Sequence, residues 1–230
     1  ATFNLALPGS HCPACNAEIT ALQNIPVLSY LLLKGKCANC QTSISIRYPL
    51  LEVLTGLLSI IVVYQLGGQI ETLFALILTW VLIALSGIDF DHQLLPDNIT
   101  LPVLWLGLLL SLFNIFTDPI SSITGAILGY LCLWTIYQLF KLFTDKEGMG
   151  FGDFKLLALF GAWLGWQYLP LIILLSSLMG AIVGTAMIIF VQRDKNIPIP
   201  FGPYLAIAGW IALLWGEKIN TLYLTSVGLI

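Results

Sequence analysis

Ala75-Leu76-Ile77-Leu78-Thr79-Trp80-Val81-Leu82-Ile83-Ala84-Leu85-Ser86-Gly87-Ile88-Asp89 is an uncharged apolar run closed by an acid. A second acid opens another such run, in Gly150-Phe151-Gly152-Asp153-Phe154-Lys155. Around them the chain of 230 residues is 58% hydrophobic and only 9% charged, with a mean hydropathy of +0.94. A soluble domain of this size carries far more charge. The composition therefore reads as an all-α polytopic membrane protein. In such a chain an ionisable group at the edge of an apolar span is costly, so Asp89 and Asp153 are functional candidates. Two carboxylates are also the minimum equipment of an aspartic protease, in which a pair of acids shares one proton and activates a water.

Working outward from these runs, seven spans fit the length a bilayer requires. They fall at 49–66, 70–88, 99–116, 120–142, 154–168, 170–191 and 201–216. The span at 154–168 is short and carries Gly161 and Gly165, which implies tilt or close packing. Residues 1–48 differ from the rest. They hold four of the five cysteines and read as a small polar domain, followed by a transmembrane domain over 49–230. The chain opens at Ala1 with no signal peptide, and Ala1–Leu7 reads like the tail of an earlier apolar segment. A net charge of −3 without a basic patch gives no footprint for nucleic acid. No repeat of fixed period is visible. If the spans alternate, Lys34, Lys36, Arg47, Lys141, Lys146, Lys155, Arg193 and Lys195 share one face, and only Lys218 lies opposite. That face is the expected cytoplasmic one, and it holds both acids.

Cys12-Pro13-Ala14-Cys15 and Cys37-Ala38-Asn39-Cys40 form two Cys-x-x-Cys turns. Each turn offers two thiolates on one side of a tight knuckle, and two knuckles close a tetrahedral Cys₄ site, the usual structural zinc arrangement. Thiol redox chemistry is the competing reading. Gly35-Lys36 suits a turn ahead of the second pair. His11 reads as a surface residue, and Cys132, inside an apolar span, as a small buried hydrophobe.

The glycines before Asp153 free the backbone for strained angles and for close approach of a peptide. Taken singly, each Asp could be a helix N-cap or a solvated interfacial acid. That plain reading is given to Asp97, while Asp91 and His92 are placed in a wet loop. It weakens for Asp89 and Asp153, which end up at one membrane face beside apolar spans.

The chain resembles the type IV prepilin leader peptidases, membrane-embedded aspartic proteases of pilus and type II secretion systems. Gly150-x-Gly152-Asp153-x-Lys155 resembles the signature of that class. Asp89 with Leu95-Pro96-Asp97 resembles its first catalytic segment. The two Cys pairs, with Ser45-x-Arg47-Tyr48-Pro49 and Glu52, resemble the cytoplasmic domain of the bifunctional branch, and Pro200-Phe201-Gly202-Pro203 a late motif. The resemblance implies catalytic Asp89 and Asp153, supported by Gly150, Gly152 and Lys155. It implies an enzyme of the bacterial inner membrane that cleaves the basic leader of prepilins or pseudopilins after a Gly, on the cytoplasmic side. It then methylates the new N-terminal amine with S-adenosylmethionine. It also implies an eighth span ahead of the Cys domain. No Gly-rich dinucleotide-type loop is present, and Gly35 and Lys36 are the candidates for the methyl-transfer site.

A proton-coupled transporter and a zinc-stabilised scaffold without chemistry are the rivals. Against transport, no acid lies near a span centre and no interrupted helices recur in matching halves. Against a scaffold, Gly-x-Gly-Asp beside Lys155 has no packing purpose.

Overall fold

The computed structural model describes residues 10–145, 149–190 and 200–227. Ala1–Leu7 and the loop positions Lys146, Gly148, Arg193 and Lys195 lie outside the described residues. The chain divides into two compact units, Ala1–Ile61 and Val62–Ile230.

The first unit contains the cysteine turns, a short helix α1 (Leu28–Leu32) and most of α2 (Arg47–Leu66). Pro49 sits in the first turn of α2, where its missing N–H costs no helical hydrogen bond. Glu52, one turn further on, accepts the backbone N–H of Val27 at 2.7 Å and so ties α2 to the start of α1. The described residues contain no β-strand, only two isolated bridges, His11 with Glu18 and Lys36 with Ser43.

Six long helices complete the described chain: α3 (Ile70–His92), α4 (Asp97–Ser111), α5 (Pro119–Thr144), α6 (Phe151–Leu164), α7 (Leu169–Phe190) and α8 (Gly202–Val227). With α2 they occupy the seven expected spans, and the architecture is all-α as read. Their ends differ from the sequence reading where single residues set them. Helix α3 runs on to His92, so Asp91 and His92 are helical rather than in a loop, although both are exposed. It stops at Gln93, which turns left-handed at φ 52°. Helix α6 stops at Gly165, whose φ of 88° suits a residue without Cβ, and a short turn at Trp166–Tyr168 replaces the rest of the expected span. Helix α8 continues well past 216.

By length and composition α2, α3, α5 and Trp166–Met187 are each sufficient to cross a membrane, and α4 is a shorter apolar helix. The burial pattern is that of a protein in lipid. Ile60, Trp105, Leu109, Leu174 and Ile182 are each more than half exposed, while Thr79, Thr100, Ser111, Ser122 and Ser176 are buried. The buried hydroxyls are satisfied, as hydrocarbon surroundings require. Ser122 Oγ donates to the Ala162 carbonyl at 2.6 Å, and Trp210 Nε1 donates to Thr79 Oγ1 at 3.0 Å. Cys132 corrects the sequence reading, since it is exposed on α5.

Helix α6 is the centre of the second unit. Its 14 residues rise about 21 Å, less than a bilayer's hydrocarbon thickness of roughly 30 Å. Every residue from Asp153 to Leu164 except Lys155 is buried. Gly125-x-x-x-Gly129 on α5 makes this possible. The backbone of Gly125 lies against that of Gly161, and a Cβ at Gly129 would meet the Leu157 carbonyl at 2.7 Å. This is the small-residue helix crossing of membrane proteins. On the α4 side Trp163 slots against Gly107 and donates its indole N–H to the Val103 carbonyl at 2.8 Å.

Gly161→Ala is therefore expected to destabilise the protein by about 1–3 kcal/mol or more, because backbone cannot move aside as a side chain can. Gly56→Ala in α2, where a Cβ meets nothing within 4 Å, is expected to stabilise by roughly 0.5–1 kcal/mol. Thermal unfolding of both variants in one detergent checks the contrast. Equal melting temperatures for the two would contradict the crossing.

Candidate active site and metal centre

The two cysteine turns are built alike. The Cys12 N–H donates to the Ala17 carbonyl at 2.9 Å, and the Cys37 N–H to the Thr42 carbonyl at 2.9 Å. Asn16 donates to Cys12 O and Gln41 to Cys37 O, and both donors are left-handed, at φ 56° and 59°. Ile19 donates to Ser10 O and Ile44 to Gly35 O, each at 2.8 Å. All these pairs are offset by 25 residues, so the unit holds one knuckle twice. The sequence reading saw no repeat because only Cys, Cys and Ile recur in the two copies.

Together the knuckles bring Cys12, Cys15, Cys37 and Cys40 into one cluster, with all four sulfurs within 4.8 Å of one another. Cys12 Sγ and Cys40 Sγ are 3.8 Å apart. A tetrahedral ion with metal–sulfur bonds of about 2.3 Å separates its ligands by about 3.8 Å. The sulfurs also receive the donors that thiolate ligands need. The amides of Cys15 and Ala14 face Cys12, and the Asn39 amide nitrogen lies 3.6 Å from Cys15 Sγ. The amides of Cys40 and Asn39 lower the Cys37 thiol below its ordinary range. The Thr42 hydroxyl, 3.2 Å from Cys40 Sγ, and the Thr42 amide hold Cys40 down to about 6. The four residues can hold a metal ion. His11 stays exposed, paired through its backbone with Glu18. Gly35, at φ 69°, makes the turn into the second knuckle, and a Cβ there would meet the Tyr30 hydroxyl at 2.9 Å. Lys36 is the exposed bridge residue opposite Ser43.

In the second unit Asp89 occupies the last turn of α3, and Asp153 is the third residue of α6. They are 6% and 7% exposed, and they are close enough for their charges to interact. Apolar packing fixes the start of α6. Phe151 and Phe154 pack on each other and on Tyr137, with ring centroids 5.4 to 5.7 Å apart. Gly150 caps α6 with an ordinary extended φ of −78°, and Gly152 is helical. Neither uses a strained angle, contrary to the expectation from sequence. The close approach at Gly152 is made by a side chain rather than by the expected peptide: a Cβ there would meet Leu95 Cβ at 2.7 Å. The same Leu95 side chain would lie 3.3 Å from a Cβ on Gly202. One buried leucine thus packs against the segment that presents Asp153 and against the start of α8.

Gly202 donates its backbone N–H to Asp89 Oδ2 at 3.0 Å. Sequence reading had only the Pro200-Phe201-Gly202-Pro203 motif as a signal for it. Asp97 is not an N-cap, a place taken by Pro96. It is the first residue of α4 and forms an ion pair with Lys155 Nζ, at 2.6 and 2.7 Å. Lys155 lies two residues beyond Asp153, so this pair joins the starts of α4 and α6. Being partly exposed, it is worth at most about 1 kcal/mol, and its value is in alignment.

The acid pair and the cysteine cluster lie within the parts of the chain that family comparisons match. The Type IV leader peptidase family profile matches residues 76–185, and that of the Bacterial Peptidase A24 N-terminal domain matches residues 1–66. A prepilin leader peptidase/N-methyltransferase of Aeromonas salmonicida (strain A449) is 58% identical over 225 residues, 98% of this chain and 77% of that protein. Proteins of the same description from Pseudomonas aeruginosa and Legionella pneumophila are 56% and 48% identical, over 99% and 96% of this chain and 79% and 77% of theirs. The chain belongs to the type IV leader peptidase family. No solved structure matches it.

In the metal-free protein at neutral pH, alkylation is predicted to mark Cys40 ahead of the buried Cys12, because Cys40 is exposed and its thiolate is populated above about 6. The Cys40 rate should fall as pH drops through that value, and metal loading should protect the cluster. Peptide mass mapping follows both. A Cys40 rate that is flat through this range would contradict the assignment.

Proposed function

We propose that this protein is an aspartic endopeptidase of the bacterial inner membrane. It cleaves the leader peptide of type IV prepilins or pseudopilins on the cytoplasmic side and then N-methylates the new N-terminus. The observation that carries the reading is the buried pair Asp89 and Asp153, set together at the ends of α3 and α6. The names of the relatives support both activities. The excess of Lys and Arg on one set of loops supports the orientation.

One carboxylate of the pair takes a proton from a water, and the water oxygen bonds to the scissile carbonyl carbon. The other carboxyl gives its proton to the carbonyl oxygen. The tetrahedral diol then collapses. Its C–N bond breaks, the nitrogen leaves with the proton held by the pair, and one diol hydroxyl returns its proton to the pair as the product carboxyl forms. Gly150, Gly152 and Lys155 support the geometry. Gly152 admits Leu95, and Lys155 aligns α6 with α4 through Asp97.

Residues 1–48 are proposed as a zinc domain and 49–230 as the peptidase domain. Zinc fits the four thiolates and their spacing, and would stabilise a unit too small to bury a core of its own. S-adenosylmethionine supplies the methyl group, with Gly35 and Lys36 as candidates for its neighbourhood.

Asp89→Ala and Asp153→Ala are each expected to lower prepilin cleavage by roughly 10⁴-fold, because the pair acts as a unit. Asp97→Asn should be much milder. Product mass after incubation with a purified prepilin reads this out. Near-normal cleavage by either alanine variant removes that residue from the mechanism.

Methyl transfer to an amine needs positioning and a free lone pair rather than a shared-proton acid pair. Asp153→Ala is therefore expected to methylate a pre-cleaved pilin, whereas Cys37→Ser and Cys40→Ser should damage methylation more than cleavage. Methyl incorporation from labelled S-adenosylmethionine tests the separation. An Asp153→Ala enzyme that binds mature pilin without methylating it would place both activities at one site.

A further inference from the structure

Beyond the two acids, we propose that the first turn of α8 is a third component of the active site, with Gly202 as a positioning residue for Asp89. The proposal rests on the acid-pair reading above. Three observations converge on it. The Gly202 amide donates to Asp89 Oδ2 at 3.0 Å in a buried setting. A Cβ at position 202 would fall 2.6 Å from that oxygen and 3.1 Å from the carboxyl carbon, so only glycine lets the amide come this close. The same Cβ would be 3.3 Å from Leu95 Cδ1, and Leu95 also packs on Gly152 beside Asp153.

The first amides of a helix have no partner within it, and here one is spent on the carboxylate. A second polar contact fixes the approach of α8 to α3, the bond from Trp210 Nε1 to Thr79 Oγ1 at 3.0 Å. Residue numbers rise along α3 from 79 to 89 as they fall along α8 from 210 to 202, so the two helices run antiparallel and are pinned at two levels. Of the carboxylate's two oxygens the amide commits Oδ2. The other is left to act on water, and its direction is set by the amide rather than by side-chain rotation alone. A catalytic group held this way is preorganised, and losing the constraint lowers turnover more than substrate binding.

The test uses the full chain in detergent with a purified prepilin. Replacing Gly202 by glycolic acid exchanges the amide for an ester, which deletes the N–H and keeps the shape. The expected result is a fall in kcat of about tenfold to a hundredfold with KM unchanged, the worth of a hydrogen bond to a charged group. Gly202→Ala should lose at least as much. Gly180→Ala, on α7 beside the same turn, places its Cβ no closer than 3.6 Å to Tyr204 and should behave as wild type. A kcat for the ester within about twofold of wild type, or a loss confined to KM, overturns the role of Gly202. An Asp89→Ala enzyme that cleaves normally would instead sink the acid-pair reading. The two failures are therefore distinguishable.

Discussion

Gly125 and Gly161 bring the backbones of α5 and α6 together, so neither helix places a side chain at their crossing. Because α5 lies so close, α6 can be enclosed along nearly its whole length. A helix too short to span a bilayer alone is then held by its neighbours at a set depth. Asp153 takes its position from that enclosure. A flexible helix start could let the acid swing towards water. Here Phe151, Phe154 and Tyr137 hold the first turn, and Leu95 fills the space beside Gly152.

Taking two carboxylates out of water is expensive, and the protein meets that cost locally. Asp89 receives an amide from α8, and Lys155, two residues beyond Asp153, is paired with Asp97. A lysine bonded directly to Asp89 or Asp153 would hold it as an anion and end the sharing of a proton. The ion pair at the rim keeps the charge out of the site while joining two helices.

Much of this was legible in the sequence, because the signals are local. Apolar runs located the seven long helices of the described residues, and paired Cys-x-x-Cys turns located the cysteine cluster. Helix ends were misjudged where one residue decides them, as at Gln93 and Gly165. The ion pair of Asp97 was missed because its partner is 58 residues away, and the bond of Gly202 because its partner is 113 residues away. Neither relation leaves a mark on local hydropathy. Cys132 was misread because in lipid an apolar run does not say which of its faces is inside. The duplication of the knuckle was hidden because it is carried by backbone hydrogen bonds, which constrain few side chains.

The bond between Asp89 and Gly202 also has a consequence in time. During translation α3 and α6 emerge long before the start of α8, so the nascent chain carries both acids while Asp89 still lacks its amide. Non-local contacts of this kind form late and close slowly. A ribosome-bound chain with both acids already made would still lack this contact until its last described helix is laid against α3. Under the proposed acid-pair mechanism, the order of synthesis would act as a lock on proteolysis.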